Sequence, residues 1–283
     1  MSVDTGVRMV AVDGGDLAVE ITATGSGPPV LAIHGISSQR RLWHWLHAEA
    51  PDLTLVAPDL RGRADSLDVA GRSSIAQHAD DMVDVLDALG LEAVVVCGMS
   101  MGGVIAVDLA QRYPSRVQSL VLVDGGFPLA TPPGLTREAL PAIFADRLGR
   151  LKHSWESLDE YLAFFTTTTA PLLDPSDPLL RDYLEHDLRG GYVRLSGEAL
   201  LSDAEDVFFG YNAWESLTVP VRFLHAEWST GAGTSPGYPT EAVERYRSKT
   251  VAVRFVPGVD HAGSIMTPTG AAATADLIHD ALA

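Results

Sequence analysis

The stretch from Ala93 to Gly103 constrains this chain more than any other. An apolar run, Ala93-Val94-Val95-Val96-Cys97, ends at Gly98, and Gly98-Met99-Ser100-Met101-Gly102 sets a serine between two glycines as G-x-S-x-G. Helical patterning starts at once in Val104-Ile105-Ala106-Val107-Asp108-Leu109-Ala110. A buried strand that turns sharply into a helix holds its turn residue on a strained backbone with the side chain pointing out. Glycines two residues to either side let strand and helix approach without Cβ clashes. A serine there stands clear of the sheet, beside the positive end of the new helix. The same five residues also fit a serine that merely caps the helix. The rest of the chain has to decide.

A chain of 283 residues can bury a large core as one α/β domain, or one domain with an insertion. Acidic side chains outnumber basic ones by 17, without a long acidic block. That excess argues against nucleic acid or an anionic membrane as the main partner. The single cysteine, Cys97, excludes an intrachain disulfide and a cysteine-based metal site, and its apolar surroundings make it a core thiol. The first residues lack a positive segment followed by an apolar one, and no apolar run reaches the ~18 residues of a membrane span. A cytoplasmic chain is the expectation.

Residues 7–12 and 17–23 alternate around Asp13-Gly14-Gly15-Asp16 and predict a β-hairpin. Buried strands are predicted at 30–33, 53–57, 93–97, 120–123, 219–226 and 251–256. Helices are predicted near 42–49, 75–89 and 240–248, and from Thr269 to the C-terminus. Residues 127–216 break the pattern. They hold helical stretches near 137–150, 157–168, 178–189 and 197–208 and read as a helical cap inserted into a core of 1–126 and 217–283. Strands alternating with helices predict an α/β fold with a doubly wound, mostly parallel sheet, whose site lies at the C-terminal ends of its strands. His34, Asp59, Ser100, Asp124, Glu227 and His261 each follow a predicted strand.

A serine hydroxyl needs a base near neutral pH, and histidine has the matching pKa. Of nine histidines, His261 follows the last strand in a glycine-containing loop that can carry its ring over the sheet. His78 and His279 lie in helices and read as surface residues. His34, ahead of Gly35-Ile36, reads as a turn-shaping hydrogen-bonding residue. The base needs an acceptor for its second nitrogen. Asp124 and Glu227 are the candidates, because Asp260 is too near His261 in sequence to reach the ring in the required direction. The backbone N–H groups of Met101 and Ile36 are positioned to receive an oxyanion.

Taken together, these segments resemble the α/β-hydrolase fold of the cap-bearing type. The matching features are His34-Gly35, Pro58-Asp59-Leu60-Arg61-Gly62, Gly98-Met99-Ser100-Met101-Gly102-Gly103, the late His261, and the insertion between the sixth and seventh strands. They cover nearly the whole length. The resemblance implies Ser100 as nucleophile, His261 as base, Ile36 and Met101 as oxyanion donors, and no cofactor. Two positions depart from the family pattern. Most members carry the acid in a loop like H-G-x-x-D after the seventh strand, but here His225-Ala226-Glu227-Trp228-Ser229 puts a serine at the aspartate position. Some members place the acid after the sixth strand instead, where Asp124 stands 24 positions beyond Ser100, so Asp124 is favoured over Glu227. Ala64 replaces a common second glycine, a change expected to affect only local turn geometry.

Serine rather than aspartate at residue 100 argues against dehalogenase and epoxide-hydrolase chemistry. The expected reaction is hydrolysis of a small, mainly apolar ester or lactone. The alternatives are carbon–carbon bond hydrolysis on the same residues and a non-hydrolytic ligand-binding protein. Trp155, Phe164, Phe165, Phe208 and Trp214 of the insertion, with Trp43 and Trp228, are the expected pocket walls. A small-molecule substrate, no nucleic-acid or membrane partner, and a monomer or homodimer complete the expectation.

Overall fold

A computed structural model of the chain describes residues 5–22, 27–128, 134–210 and 214–283. In chain order the strands are β1 (Gly6–Val12), β2 (Gly15–Thr22), β3 (Pro29–Ile33), β4 (Thr54–Pro58), β5 (Val94–Met99), β6 (Val117–Val123), β7 (Leu188–Arg189), β8 (Tyr192–Val193), β9 (Val221–Trp228) and β10 (Ala252–Asp260). The helices are α1 (His44–Glu49), α2 (Ile75–Ala88), α3 (Met101–Arg112), α4 (Leu140–Ile143), α5 (Ala145–Lys152), α6 (Leu158–Phe164), α7 (Pro178–Asp187), α8 (Gly197–Phe209), α9 (Thr240–Tyr246) and α10 (Pro268–Leu282).

Eight strands form one sheet in the order β1-β2-β4-β3-β5-β6-β9-β10, and β7 pairs with β8 apart from it. The β1-β2 and β2-β4 pairs are antiparallel; the rest of the large sheet is parallel. This is the doubly wound α/β sheet that the strand–helix alternation predicts, with the expected hairpin at one edge. Ala23, the end of the second expected strand, lies outside the described residues.

The central strands are apolar throughout because both faces are covered. Val30, Ala32, Val95, Cys97, Val121 and Val123 enter one core, while Leu31, Ile33, Val94, Val96, Leu120 and Leu122 enter the other. Helices α1 and α10 bring Trp45, Leu46, Leu277 and Ile278 to the first core. From α2, α3 and α9 come Met82, Leu86, Ile105 and Val243 for the second. Cys97 is fully buried, and burial pushes its thiol pKa well above the usual range.

Between β6 and β9 the described chain carries α4 to α8 and the β7-β8 hairpin. Leu140, Phe144, Tyr161, Leu184 and Leu200 from this segment join the first core. The helices expected at 137–150 and 157–168 are both divided. Pro141 can open a helix but not continue one, and α4 begins just before it. After α6, residues Phe165–Thr169 form a π-helical turn. There the Thr166, Thr167 and Thr168 hydroxyls donate to the carbonyls of Leu162, Ala163 and Phe164 at 2.9, 2.8 and 2.7 Å. The Ala170 N–H reaches back to the Phe165 carbonyl at 2.9 Å, closing the wider turn. Among the described residues, no helix is long and apolar enough to cross a membrane.

The β5–α3 junction tolerates no added side chain. A Cβ on Gly102 would lie 2.0 Å from the Ile33 carbonyl oxygen, and one on Gly98 would lie 2.2 Å from that of Gly102. Helix propensity alone says that Gly102→Ala stabilises by ~1 kcal/mol. Backbone overlap predicts the opposite sign, a loss of ~3 kcal/mol or more. Urea denaturation of the variant decides, and an unchanged or raised midpoint would contradict the packing account.

Candidate active site

Ser100 occupies the turn between β5 and α3 with φ 55° and ψ −121°. Its N–H donates to the Val123 carbonyl at 3.0 Å. Its side chain makes no capping hydrogen bond to α3, which it would make as a helix cap. Two other non-glycine residues among those described have positive φ, Ala64 at 43° and Asp124 at 44°. Each such residue costs on the order of 1–3 kcal/mol unless the surroundings hold it. Asp124 is held within two residues of the β6 end, and Ala64 lies in the loop after β4, so the strain concentrates at the strand ends.

Asp124 is buried. Its N–H donates to the Leu224 carbonyl at 2.7 Å, and its Oδ1 accepts the Ala226 N–H at 3.1 Å. The Oδ2 lies 2.6 Å from Nδ1 of His261. A carboxylate only accepts, so Nδ1 is the donor of this bond. Glu227 lies elsewhere: its Oε2 accepts the Gly258 N–H at 2.7 Å, bracing the β9–β10 edge. The Asp260 carboxylate is taken up by the N–H groups of Gly231 and Gly263 at 2.8 and 3.0 Å. Ser229, at the position where an aspartate is common, accepts the His261 N–H on its carbonyl at 3.3 Å.

The loop after β6 also touches the serine turn through its backbone. A Cβ on Gly125 would lie 2.1 Å from the Ser100 carbonyl oxygen, and one on Gly126 would lie 2.4 Å from that of Gly103. In the sequence only Asp124 of this loop stood out, as the favoured acid, and Gly125-Gly126 were merely the residues that follow it. The paired glycines after an aspartate were the available signal.

The turn after β3 is fixed by two groups. His34 is fully buried; its Nδ1 donates to the Gly35 carbonyl at 2.8 Å, and its Nε2 accepts the Leu60 N–H at 3.0 Å. Burial holds its pKa down at about 4, so the ring is neutral and both nitrogens are used. Arg63 donates Nε and Nη2 to the Ile36 carbonyl at 3.2 and 2.9 Å. Its Nη2 also pairs with Asp203 of α8 at 2.6 Å. Asp203 accepts from the Ser73 hydroxyl at 2.8 Å and lies 3.1 Å from His78 Nε2. His78 is therefore buried rather than on the surface, because this face of α2 meets α8. His279 is half-exposed and pairs with Asp52 at 2.9 Å. The Arg63–Asp203 link had no sequence signal, since its partners are far apart in the chain.

Ile36, Ser100, Met101 and His261 line one cavity of about 290 Å³. Phe165 and Phe208 line it as expected, with Phe144, Tyr183, Leu42 and Met266. The other expected walls are placed differently. Trp43 is buried in the first core and Trp155 packs within the insertion against Tyr161 and Phe164. Trp214 packs on Phe127 and lines a separate groove with Leu217 and Lys249, at the start of β9 and the far end of the strand from His261. Trp228, at the end of β9, is not among the described lining residues. Large aromatic side chains are well suited to burial, and between β6 and β9 Trp155 and Trp214 direct it to the two cores beside the sheet rather than to the cavity.

The ligand atoms of Asp59, Asp65 and His186 lie within 4.8 Å of one another, close enough to consider a metal. Arg40 and Arg194 already occupy this cluster: Arg40 pairs with Asp59 and with Asp65, the latter at 2.9 Å, and Arg194 pairs with Asp65. The carboxylates are satisfied by guanidinium groups, which tie α7 and β8 to the loop after β4.

Burial alone would raise the Asp203 carboxyl pKa, but His78 and Arg63 hold it down at about 2. A carboxyl depressed on folding stabilises the fold above its unfolded pKa, and this contribution disappears as pH falls from about 4 to about 2. Asp203→Asn leaves Arg63 buried without its anion and is expected to cost ~3 kcal/mol near neutral pH. The gap to wild type should narrow on acidification, as urea titrations at about pH 7 and about pH 3 would reveal; a gap independent of pH would contradict it.

The model for the alpha/beta hydrolase fold matches residues 28–175, just over half of the chain. An uncharacterized protein of Mycobacterium tuberculosis is 40% identical over 103 residues, which span 36% of this chain and only 30% of that relative. A putative 2-succinyl-6-hydroxy-2,4-cyclohexadiene-1-carboxylate synthase of Bacillus subtilis is 27% identical over 237 residues, covering 81% of this chain and 80% of that protein. The crystal structure of an E-2-(acetamidomethylene)succinate hydrolase superposes with a TM-score of 0.77 at 25% identity, covering 98% of both chains. The eight-stranded sheet, the strained serine turn and these matches together make the chain a member of the alpha/beta hydrolase fold family.

Proposed function

We propose that this hydrolase cleaves a small ester or lactone through an acyl-enzyme, with Ser100 as nucleophile, His261 as base and Asp124 as the acid. One observation carries the reading. His261 lines the same cavity as Ser100 while its Nδ1 is bound to Asp124 at 2.6 Å. In this reading Nε2 takes the Ser100 proton as Oγ attacks the substrate carbonyl, and Asp124 stabilises the imidazolium that forms. The tetrahedral oxygen is received by the N–H groups of Ile36 and Met101, each worth roughly a hundredfold to a thousandfold in rate. His261 then returns the proton to the leaving oxygen. Water, deprotonated by the same ring, releases the acid and restores Ser100.

Residues 127–216 act in this reading as the cap over the strand ends. Phe144, Phe165, Tyr183 and Phe208 belong to it and supply most of the aromatic wall, which keeps bulk water from the acyl-enzyme. The absence of a capping bond at Ser100 supports an enzyme over a binding protein. A serine kept strained and uncommitted gains nothing for packing, whereas a nucleophile requires both.

The choice of acid is testable with p-nitrophenyl esters beside a lactone panel. Asp124→Asn is expected to lower kcat by about 10⁴-fold, because the histidine loses its fixed tautomer. Glu227→Gln should stay within about twofold, since Glu227 only braces the Gly258 backbone. Steady-state kinetics of the two variants check this, and the reverse ranking would move the acid to β9.

A further inference from the structure

We propose that the substrate carries a carboxylate, held by Arg147 on the wall of the cavity that contains Ser100. This names the substrate class of the site above and rests on the serine-hydrolase reading.

Helix α5 brings two arginines to the site one turn apart. Arg147 lines the cavity directly. Arg150 is buried behind it and donates Nη2 to the carbonyl of Ser37, itself a lining residue, at 3.2 Å. Among the described residues, four buried arginines are ion-paired: Arg40 with Asp59, Arg61 with Asp81, Arg63 with Asp203 and Arg194 with Asp65; the buried Arg150 is not. Arg147, which lines the cavity, is likewise unpaired: no carboxylate among the described residues lies within ion-pairing distance of it, and its Nε, like those of Arg40 and Arg150, is buried without a hydrogen-bond partner. Its guanidinium stands over the Phe144 ring, 5.4 Å from the centroid. The neighbouring Asp146 is exposed, and Asp187 near Arg150 is engaged by the Tyr161 hydroxyl at 2.5 Å.

Arg147 is short of counter-charge within the protein. Burial and the nearby charge of Arg150 lower the Arg147 pKa, and the exposed Asp146 beside it only partly opposes them. Acidic side chains exceed basic ones by 17 in this chain, yet the described lining of the cavity contains no aspartate or glutamate. A partly buried guanidinium without an anion is stabilised by a ligand that supplies one. The planar guanidinium matches a carboxylate in both charge and shape. Ile143, Phe144, Phe165 and Phe208 line the same cavity. The substrate that fits is a small ester or lactone whose acyl or alkyl part is apolar and bears a carboxylate.

The test compares p-nitrophenyl hemiglutarate with the neutral p-nitrophenyl valerate. Wild type should prefer the anionic ester in kcat/KM. Arg147→Gln should reduce the ratio of the two kcat/KM values by about 10- to 100-fold, the range of a charge-assisted hydrogen bond, and Arg147→Lys should recover part of it. A ratio cancels any loss of folded protein. An unchanged ratio in Arg147→Gln, or a wild-type preference for the neutral ester, overturns the proposal. Glutarate should also protect Ser100 from a fluorophosphonate in wild type but not in Arg147→Gln. Labelling of Ser100 that glutarate fails to slow overturns the carboxylate site and leaves the hydrolase reading standing. If the fluorophosphonate never reaches Ser100, that reading fails instead, and calorimetric titration of glutarate then judges Arg147 alone. Binding lost in Arg147→Gln supports the site; equal affinity in both proteins overturns it.

Discussion

The arrangement depends on how closely β5 and β6 pack at their C-terminal ends. Met99 pairs with Val123 in register, so Ser100 and Asp124 leave the sheet side by side. The Ser100 N–H is anchored on the Val123 carbonyl, and Gly125 lies so close that no side chain fits between it and the serine backbone. Both residues pay for this proximity with a positive φ. One contact therefore strains the serine turn and sets Asp124 where a histidine from beyond β10 can meet it. A carboxylate on the strand next to Ser100 needs no long loop to approach it. Its position is inherited from strand register.

The other parts of the site depend on the inserted segment. Arg63 holds the Ile36 carbonyl and is itself held by Asp203 of α8. The peptide following Ile36 is thus fixed through a side chain whose anion comes from the insertion. The same segment contributes Arg147 and the aromatic wall. The segment between β6 and β9 is joined to the sheet side by a buried ion pair, Arg63–Asp203, as well as by apolar packing. Displacing α8 would disturb the turn after β3 as well as the cavity wall that Val207 and Phe208 form.

How much of this was readable in the sequence follows from the range of each interaction. The β5–α3 turn, the hairpin and the buried strands were legible because apolar runs and glycine spacing encode them locally. His261 and Asp124 were legible because each directly follows a strand, and a parallel sheet brings such positions to one edge. The Arg63–Asp203–His78 cluster was not legible: helical spacing does not say which side of α2 will face α8, and His78 read as a surface residue. Ala64 looked like a minor change of turn, yet it adopts a φ of 43° that a glycine would take without strain. Trp43, Trp155 and Trp214, expected as cavity walls, are instead buried in cores, and Trp228 is only half-buried at the end of β9. Which core or cavity received them depended on how the insertion folds on itself, and periodicity carries no information about that.

The central claim is that Ser100 is acylated during turnover. The most direct measurement is acid quenching during hydrolysis of p-nitrophenyl acetate, followed by peptide mass spectrometry. The account predicts an acetyl group on the peptide containing Ser100, located on that serine, and loss of both adduct and turnover in Ser100→Ala. Turnover that persists undiminished in Ser100→Ala, or an acyl group found on a different residue, would contradict it.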